Sequence, residues 1–370
     1  MGKKLKVLLL EPFHSGSHQA WAEGLTKHTR HDISLISHPG SYWRWRVRGS
    51  ALTMAEKAQE IVNKNGKPDV VLASGMIDLA AWLGFTKRFI GDPPVVLYQH
   101  ENQLTYPVPS GQPPDGSMKF VNWKNMAIAD QIWFNSDFHK ESLLGALPEF
   151  LKNVPDMSHS HLLKQTIDKM RVVPVGVELS EIEYSDSIGD PPLILWNHRW
   201  EYDKNPEAFI ASLKKLYEEG AQFNFAVTGE NSPKDSEAIK SQFGKLSEFI
   251  VSSGYLPRTE YISLLSKTDV VVSSSIHEFF GISIVEALSA GAIPVLPKRL
   301  SYPEIVPEQW HDFVFYSDDA MTDYLREVLK DLENYKKNIS GLGKAMRRFD
   351  WGEVIKVYDD RLEEIVSDGF

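Results

Sequence analysis

Short apolar runs recur along the chain, separated by polar or amphipathic stretches. In the first half they fall at residues 6–10, 33–37, 69–73, 94–98, 131–134 and 171–175. These runs are rich in Val, Ile and Leu and alternate little, as parallel strands buried on both faces do. Helix-like stretches at 17–29, 51–63 and 117–130 lie between them. The second half repeats the order, with strands at 193–196, 223–228, 269–274, 293–296 and 313–316 and helices at 205–219, 258–267, 280–290 and 320–333. The stretch 181–192, with Gly189, Pro191 and Pro192, has linker composition. An amphipathic segment, 351–365, closes the pattern. It predicts an α/β fold of two doubly wound, Rossmann-like domains facing across a cleft, 1–185 and 186–348, with 349–370 crossing back to the first.

Composition narrows the chemistry. The chain has 370 residues and no cysteine, which removes disulfides, thiolate metal sites and Cys nucleophiles together. No apolar run approaches the ~20 residues that cross a bilayer. Lys3, Lys4 and Lys6 precede Val7 to Leu10, but Glu11 and Pro12 end that run, so it reads as a first strand rather than a leader. A cytoplasmic protein without integral membrane association is expected. The net charge is −10, unevenly spread: residues 1–185 hold 20 basic and 19 acidic residues, and 186–370 hold 20 and 31. A polyanionic partner would therefore meet the first half.

Two segments of the second half carry candidate chemistry. After the strand at 193–196, Arg199 and Lys204 lie in a strand-to-helix loop, at the edge where open α/β sheets bind ligands. Two cations there suit a diphosphate, with a solvated loop as the plain alternative. After the strand at 269–274 come Glu278 and, eight residues on, Glu286. Gly281, Ile282 and Ser283 open a helix whose N–H groups face an anionic or hydroxyl-rich ligand. Glu286 sits on an apolar helix face and needs a partner, either a ribose diol or a structural salt bridge.

The first half has three more. Gly16 lies in a Gly/Ser turn after the first strand, beside His14 and His18. Two lone histidines without an evident third ligand do not make a metal site. His100, Glu101 and Asn102 open a polar loop after the strand at 94–98, with His100 the candidate for touching a transferred sugar or an acceptor. In Trp43-Arg44-Trp45-Arg46-Val47-Arg48, an extended chain would put Trp43 and Trp45 on one face and Arg44, Arg46 and Arg48 on the other. That pairing suits unpaired bases and phosphates, against a packing role for the tryptophans.

Glu278-Phe279-Phe280-Gly281-Ile282-Ser283 through Glu286-Ala287, followed by Gly291-Ala292-Ile293-Pro294-Val295, resembles the E-x7-E signature of retaining GT-B glycosyltransferases. Four first-half segments narrow this: Glu11-Pro12-Phe13 with Gly16-Ser17-His18, the Trp43–Arg48 stretch, His100-Glu101-Asn102-Gln103-Leu104 with Tyr106-Pro107, and Phe134-Asn135-Ser136-Asp137-Phe138. Together they resemble the tRNA-queuosine α-mannosyltransferases over about residues 5–367. The resemblance implies transfer of mannose from GDP-mannose to queuosine in tRNA-Asp, with retention and without a metal. It implies that Arg199 and Lys204 hold the diphosphate, Glu286 the ribose and Glu278 the donor sugar, with Lys298, Arg299 and Glu304 as candidates for the base pocket. The alternative keeps another nucleotide sugar and moves the acceptor to a lipid, glycan or small molecule; Trp82-Leu83 and Phe89-Ile90 are the modest apolar patches it would use. A third, a catalytically silent binder, fits poorly with an intact set of two cations and two acids.

Overall fold

The computed structural model describes residues 4–108, 111, 115–229 and 241–367; Lys3 of the basic N-terminal run lies outside them. Its contacts divide the chain into Met1–Val177 with Trp351–Phe370, and Glu178–Asp350.

In the first unit six parallel strands, β1 (Lys6–His14), β2 (Asp32–Pro39), β3 (Val70–Ser74), β4 (Val95–Gln99), β5 (Gln131–Phe134) and β6 (Met170–Val172), lie in the order β2-β1-β3-β4-β5-β6. Every residue of β3 and β4 is buried, as their unbroken apolar runs predict. Two helices absent from the sequence reading fill the gaps. Leu79–Ile90 is capped by Asp78, which accepts from the Ala81 N–H, and buries Leu79, Trp82, Thr86 and Ile90 along one face. Asp137–Lys152 is capped by Ser136 and buries Leu143, Leu147 and Leu151 at a spacing of four. Trp82 and Ile90 are thus core, and Leu83 and Phe89 pack against it, so the apolar patches that a lipid acceptor would use are spent inside the first unit.

The Trp-Arg stretch departs from the extended reading. Helix Trp43–Asn65 begins there, directly after Tyr42 at φ 55°. The buried positions Val47, Ala51, Met54, Ala55 and Ala58 set a helical period that reaches back to Trp43 and overrides the Trp/Arg alternation. Trp43 packs against the buried cluster of Val47, Met76, Met118 and Val121.

The second unit holds β7 (Leu193–Trp196), β8 (Asn224–Thr228), β9 (Ile250–Gly254), β10 (Val270–Val272), β11 (Ile293–Pro297) and β12 (Phe315–Tyr316), in the order β12-β11-β10-β7-β8-β9. Strand β9 escapes the sequence reading because it is a half-exposed edge ending in Ser-Ser-Gly. The order reverses between β7 and β10, and it is outside the carboxyl ends of two such strands that open parallel sheets form a ligand crevice.

The unit boundary falls earlier than the breaker-rich stretch suggests. Leu179 and Ile182 are buried, and their carbonyls accept from the Arg347 guanidinium at 2.7 and 3.1 Å, so residues 178–185 fold with the second unit. Helix Trp351–Ser367 belongs to the first unit: the Trp351 N–H donates to the Val177 carbonyl, and Tyr358 accepts from Trp21 Nε1 at 3.0 Å. Among the described residues no helix is long and apolar enough to cross a membrane.

Candidate active site

The loop leaving β7 and the loop leaving β10 are laced together at the reversal point. The Asp203 carbonyl accepts from the N–H groups of Ile276 and His277, and Ser274 Oγ donates to the Lys204 carbonyl at 2.8 Å. A short 3-10 turn, Tyr202–Lys204, followed by Asn205 in the left-handed region, turns Lys204 inward before helix Pro206–Glu218 begins.

Lys204 Nζ donates to the His277 carbonyl at 2.7 Å and to Glu278 Oε2 at 3.1 Å, and it stands 3.1 Å from Asp203 Oδ2. Lys204 and Asp203 are buried, so the cation is fixed by geometry rather than free to wander. Burial alone would raise the Glu278 carboxyl; the charge and hydrogen bond of Lys204, aided by His198 and Arg199, outweigh it and hold Glu278 below the ordinary carboxylate range. His198 and His277 are each pushed down to about 4, by burial first and the Lys204 charge second, and are neutral near pH 7. Arg199 is more open, with Nη1 3.6 Å from Glu201. The structure thus brings Arg199, Lys204 and Glu278 into one electrostatic cluster.

Glu286 lies in a neighbouring network. It is buried in helix Ile282–Ala290, and its carboxylate accepts from Arg258, which also reaches the Glu178 carbonyl. Burial raises Glu286, and Arg258 and Tyr261 oppose that rise only in part. Asn197 Nδ2 donates to Tyr261 Oη and to the Ser283 carbonyl, both at 2.9 Å, which joins this network to the β7 loop. Of the two sequence readings of Glu286, the structural salt bridge is present.

Gly281 caps the same helix at φ 101°, and a Cβ there would come 3.3 Å from Tyr302. The N–H groups of Ile282 and Ser283 fall in the first turn, which has no intrahelical acceptors. Arg299 is tied to Asp318 and to the Ser275 carbonyl. Four residues that sequence reasoning passed over help build the site: Asn197, Asp203, Arg258 and Tyr261. Arg258 and Tyr261 are three apart on helix Arg258–Leu265, a spacing that shares a face and was readable. Gly229 is a fifth, because a Cβ on it would lie 2.0 Å from the His198 carbonyl oxygen.

The remaining candidates lie in the first unit. Gly16, at φ 51°, starts helix Gly16–His28. His100 follows β4, packed on His18 with ring centroids 4.2 Å apart and against Trp21. Burial first, then His18 and His139, hold its imidazole well below the ordinary histidine range. Glu101 is half-buried, whereas Asn102 is buried and its Oδ1 accepts from Leu104, Thr105 N and Thr105 Oγ1, so it shapes its own loop. Arg48 is tied to Asp115 and to Ser117 Oγ at the start of helix Gly116–Ile128. Arg44 lies over the Trp43 ring at 4.6 Å, Arg46 is half-buried, and Tyr42 and Trp45 are exposed.

Comparison with known proteins matches this layout. The model "tRNA-queuosine alpha-mannosyltransferase N-terminal" covers residues 6–177, and "Glycosyl transferases group 1" covers 180–345. Sucrose-phosphate synthase from Thermosynechococcus elongatus superposes with a TM-score of 0.75 at 14% identity over 99% of this chain and 100% of that one. A glycosyltransferase from Rickettsia africae gives 0.72 at 18% identity, with full coverage of both chains. The two parallel six-stranded sheets are those of the GT-B fold, and the chain is a glycosyltransferase. The tRNA-queuosine alpha-mannosyltransferase of Drosophila melanogaster is 30% identical over 378 residues, 99% of this chain and 98% of that protein. On that full-length similarity, the chain belongs to the tRNA-queuosine alpha-mannosyltransferase family.

Proposed function

We propose that the chain moves mannose from GDP-mannose to the cyclopentenediol of queuosine in tRNA, with retained configuration. The observation that carries the reading is the end-to-end similarity to the Drosophila enzyme, coupled with a buried Lys204 hydrogen-bonded to Glu278 at the reversal point of the second sheet. Arg199 and Lys204 would take the diphosphate, and the first-turn N–H groups of Ile282 and Ser283 would add neutral donors. Charge grows on the departing phosphate as the anomeric C–O bond breaks. Fixed donors aimed at such charge contribute about 3–4 kcal/mol each by analogy with oxyanion holes. The acceptor oxygen would attack from the same face and pass its proton to the departing diphosphate, so no separate strong base is required. Glu278, kept anionic by Lys204, would orient donor-sugar hydroxyls rather than attack carbon. Glu286, with one side pinned by Arg258, would receive the ribose hydroxyls. No residue in this scheme calls for a metal in the transfer itself.

Acceptor binding would use the exposed start of helix Trp43–Asn65, where Tyr42, Trp45 and Arg44 offer aromatic faces and a cation and Arg46 adds a second charge. The test is incubation with queuosine-containing tRNA and a panel of radiolabelled nucleotide sugars. Label entering tRNA from GDP-mannose alone, as an α-linked product by NMR, supports the proposal. Label from another donor, a β-linkage, or donor turnover without any tRNA product overturns the corresponding part. Arg46→Ala should weaken tRNA binding while leaving GDP-mannose affinity unchanged; equal losses of both would refute the acceptor role.

A further inference from the structure

Three polar side chains, two of them seven residues apart and the third 82 residues further on, meet at the carboxyl edge of the first sheet. Glu11 lies within β1 and is fully buried; its Oε1 accepts from the Phe13 N–H at 2.9 Å. Its Oε2 is 3.1 Å from Nδ1 of His18, a buried residue in the first turn of helix Gly16–His28. His100 follows β4, and its Nε2 is buried with no hydrogen-bond partner among the described residues. One ligand-capable atom from each of the three lies within 4.8 Å of the other two.

The surroundings make this more than a satisfied loop. Trp21 and Tyr98 wall the His100 ring at 4.7 and 4.8 Å, so the cluster sits in an apolar sleeve. No Lys or Arg pairs with Glu11 among the described residues; its ion-pair partner there is His18. A buried carboxylate facing only neutral or weakly basic groups carries a large desolvation cost, which a bound cation offsets. The orphaned His100 nitrogen carries a second cost of the same kind.

The geometry points to a divalent transition-metal site of the zinc class in the first unit, with Glu11, His18 and His100 as ligands and one position left open. Two imidazoles and one carboxylate form a borderline-soft donor set, better suited to zinc than to magnesium or calcium, which prefer oxygen. Ligand atoms around such an ion stand about 3.3–3.6 Å apart, from bonds of about 2.0–2.2 Å at tetrahedral angles, so rotamer shifts of roughly 1 Å close the site. The Phe13 N–H already orients the carboxylate from its far side, as outer-shell donors do. An ion there clamps β1, the first turn of helix Gly16–His28 and the loop after β4 to one another. Sequence reading placed Glu11 past the end of the first strand, at residues 6–10, whereas β1 runs on to His14 and carries Glu11 inside it beside the two histidines.

The inference stands apart from the donor and acceptor assigned above, since its readout is the ion itself. Tag-free full-length protein is stripped with a chelator, dialysed and titrated with Co2+, then with Zn2+. Expected are one ion per chain by mass spectrometry and a visible Co2+ spectrum that Zn2+ erases. Glu11→Gln, which keeps the size of the side chain, and His18→Ala and His100→Ala should each weaken binding at least tenfold. His14→Ala, at a histidine paired instead with Glu23, should bind normally. Circular dichroism of the metal-free variants checks folding. No stoichiometric binding by the wild type, binding unchanged in well-folded Glu11→Gln, or binding removed equally by His14→Ala overturns the site and leaves a hydrogen-bonded pair with a stacked ring.

Discussion

Lys204 and Arg199 are both cations of one loop, yet they differ in what their removal does. Lys204 is buried between two carboxylates, so Lys204→Met leaves Asp203 and Glu278 facing each other without a counter-charge. Breaking such a pair should cost on the order of 3 kcal/mol of stability as well as turnover. Arg199 is partly exposed, so Arg199→Ala should leave the melting temperature nearly unchanged while turnover of GDP-mannose falls by about 10²–10³. Calorimetry beside a donor-turnover assay separates the two; equal melting temperatures would show that Lys204 carries no buried pair. The neighbouring histidines add a pH signature. His198 and His277 have native pKa values near 4 against an ordinary 6.5, so the unfolded chain takes up protons first as pH falls. Stability is complete above pH 6.5, declines between 6.5 and about 4, and levels off below, by roughly 3 kcal/mol per histidine at most. Glu278, held low, adds a loss only below the ordinary carboxylate value of 4.5. Urea unfolding from pH 7 to 4 should show this decline, and His198→Asn should flatten it; an unchanged slope would contradict a buried neutral imidazole.

At the scale of elements, the site depends on how closely two loops approach β7. The end of β8 passes the β7 loop at Gly229, where the glycine lets two backbones touch. Gly229→Ala forces a methyl into the His198 carbonyl, and backbone cannot yield as a side-chain tip does. The loop bearing Arg199 must move, and a displacement of about 1 Å in positioning costs on the order of 10² in rate. Donor turnover should fall by that order while the far-ultraviolet spectrum stays native; wild-type turnover would show that the contact is not needed. Helix Ile282–Ala290 was legible because Gly281 and the apolar run after it mark a start and a face. The start of helix Trp43–Asn65 was not, since Trp/Arg alternation also satisfies a period of two and only packing of Trp43 and Val47 decides between them.

Across the whole molecule, the C-terminal helix closes the core of the first unit. Trp351 is buried so tightly that a Cβ on Gly24 or on Gly176 would collide with its ring at 2.1 or 2.2 Å. Asp359 accepts from Thr29 Oγ1 and from the Arg30 N–H, and Tyr358 donates to the Pro174 carbonyl. Trp351→Ala should therefore cost about 3–5 kcal/mol. Chemical denaturation measures it; a loss under 1 kcal/mol would mean that the helix is an appendage rather than part of that core.

The sequence by itself determined the succession of buried strands, the two doubly wound sheets, and the loops carrying Arg199, Lys204, Glu278 and Glu286. Those features follow from hydrophobic runs and from neighbours within a few residues, where local chemistry decides. It was the tertiary structure that paired Lys204 with Glu278, gave Glu286 to Arg258 rather than leaving it alone, and set Glu11 beside His18 and His100. Apart from Glu11 and His18, seven residues apart, these partners stand 28 to 89 residues apart, so they depend on strand order and loop path, and no local pattern records which of several possible carboxylates a cation will reach.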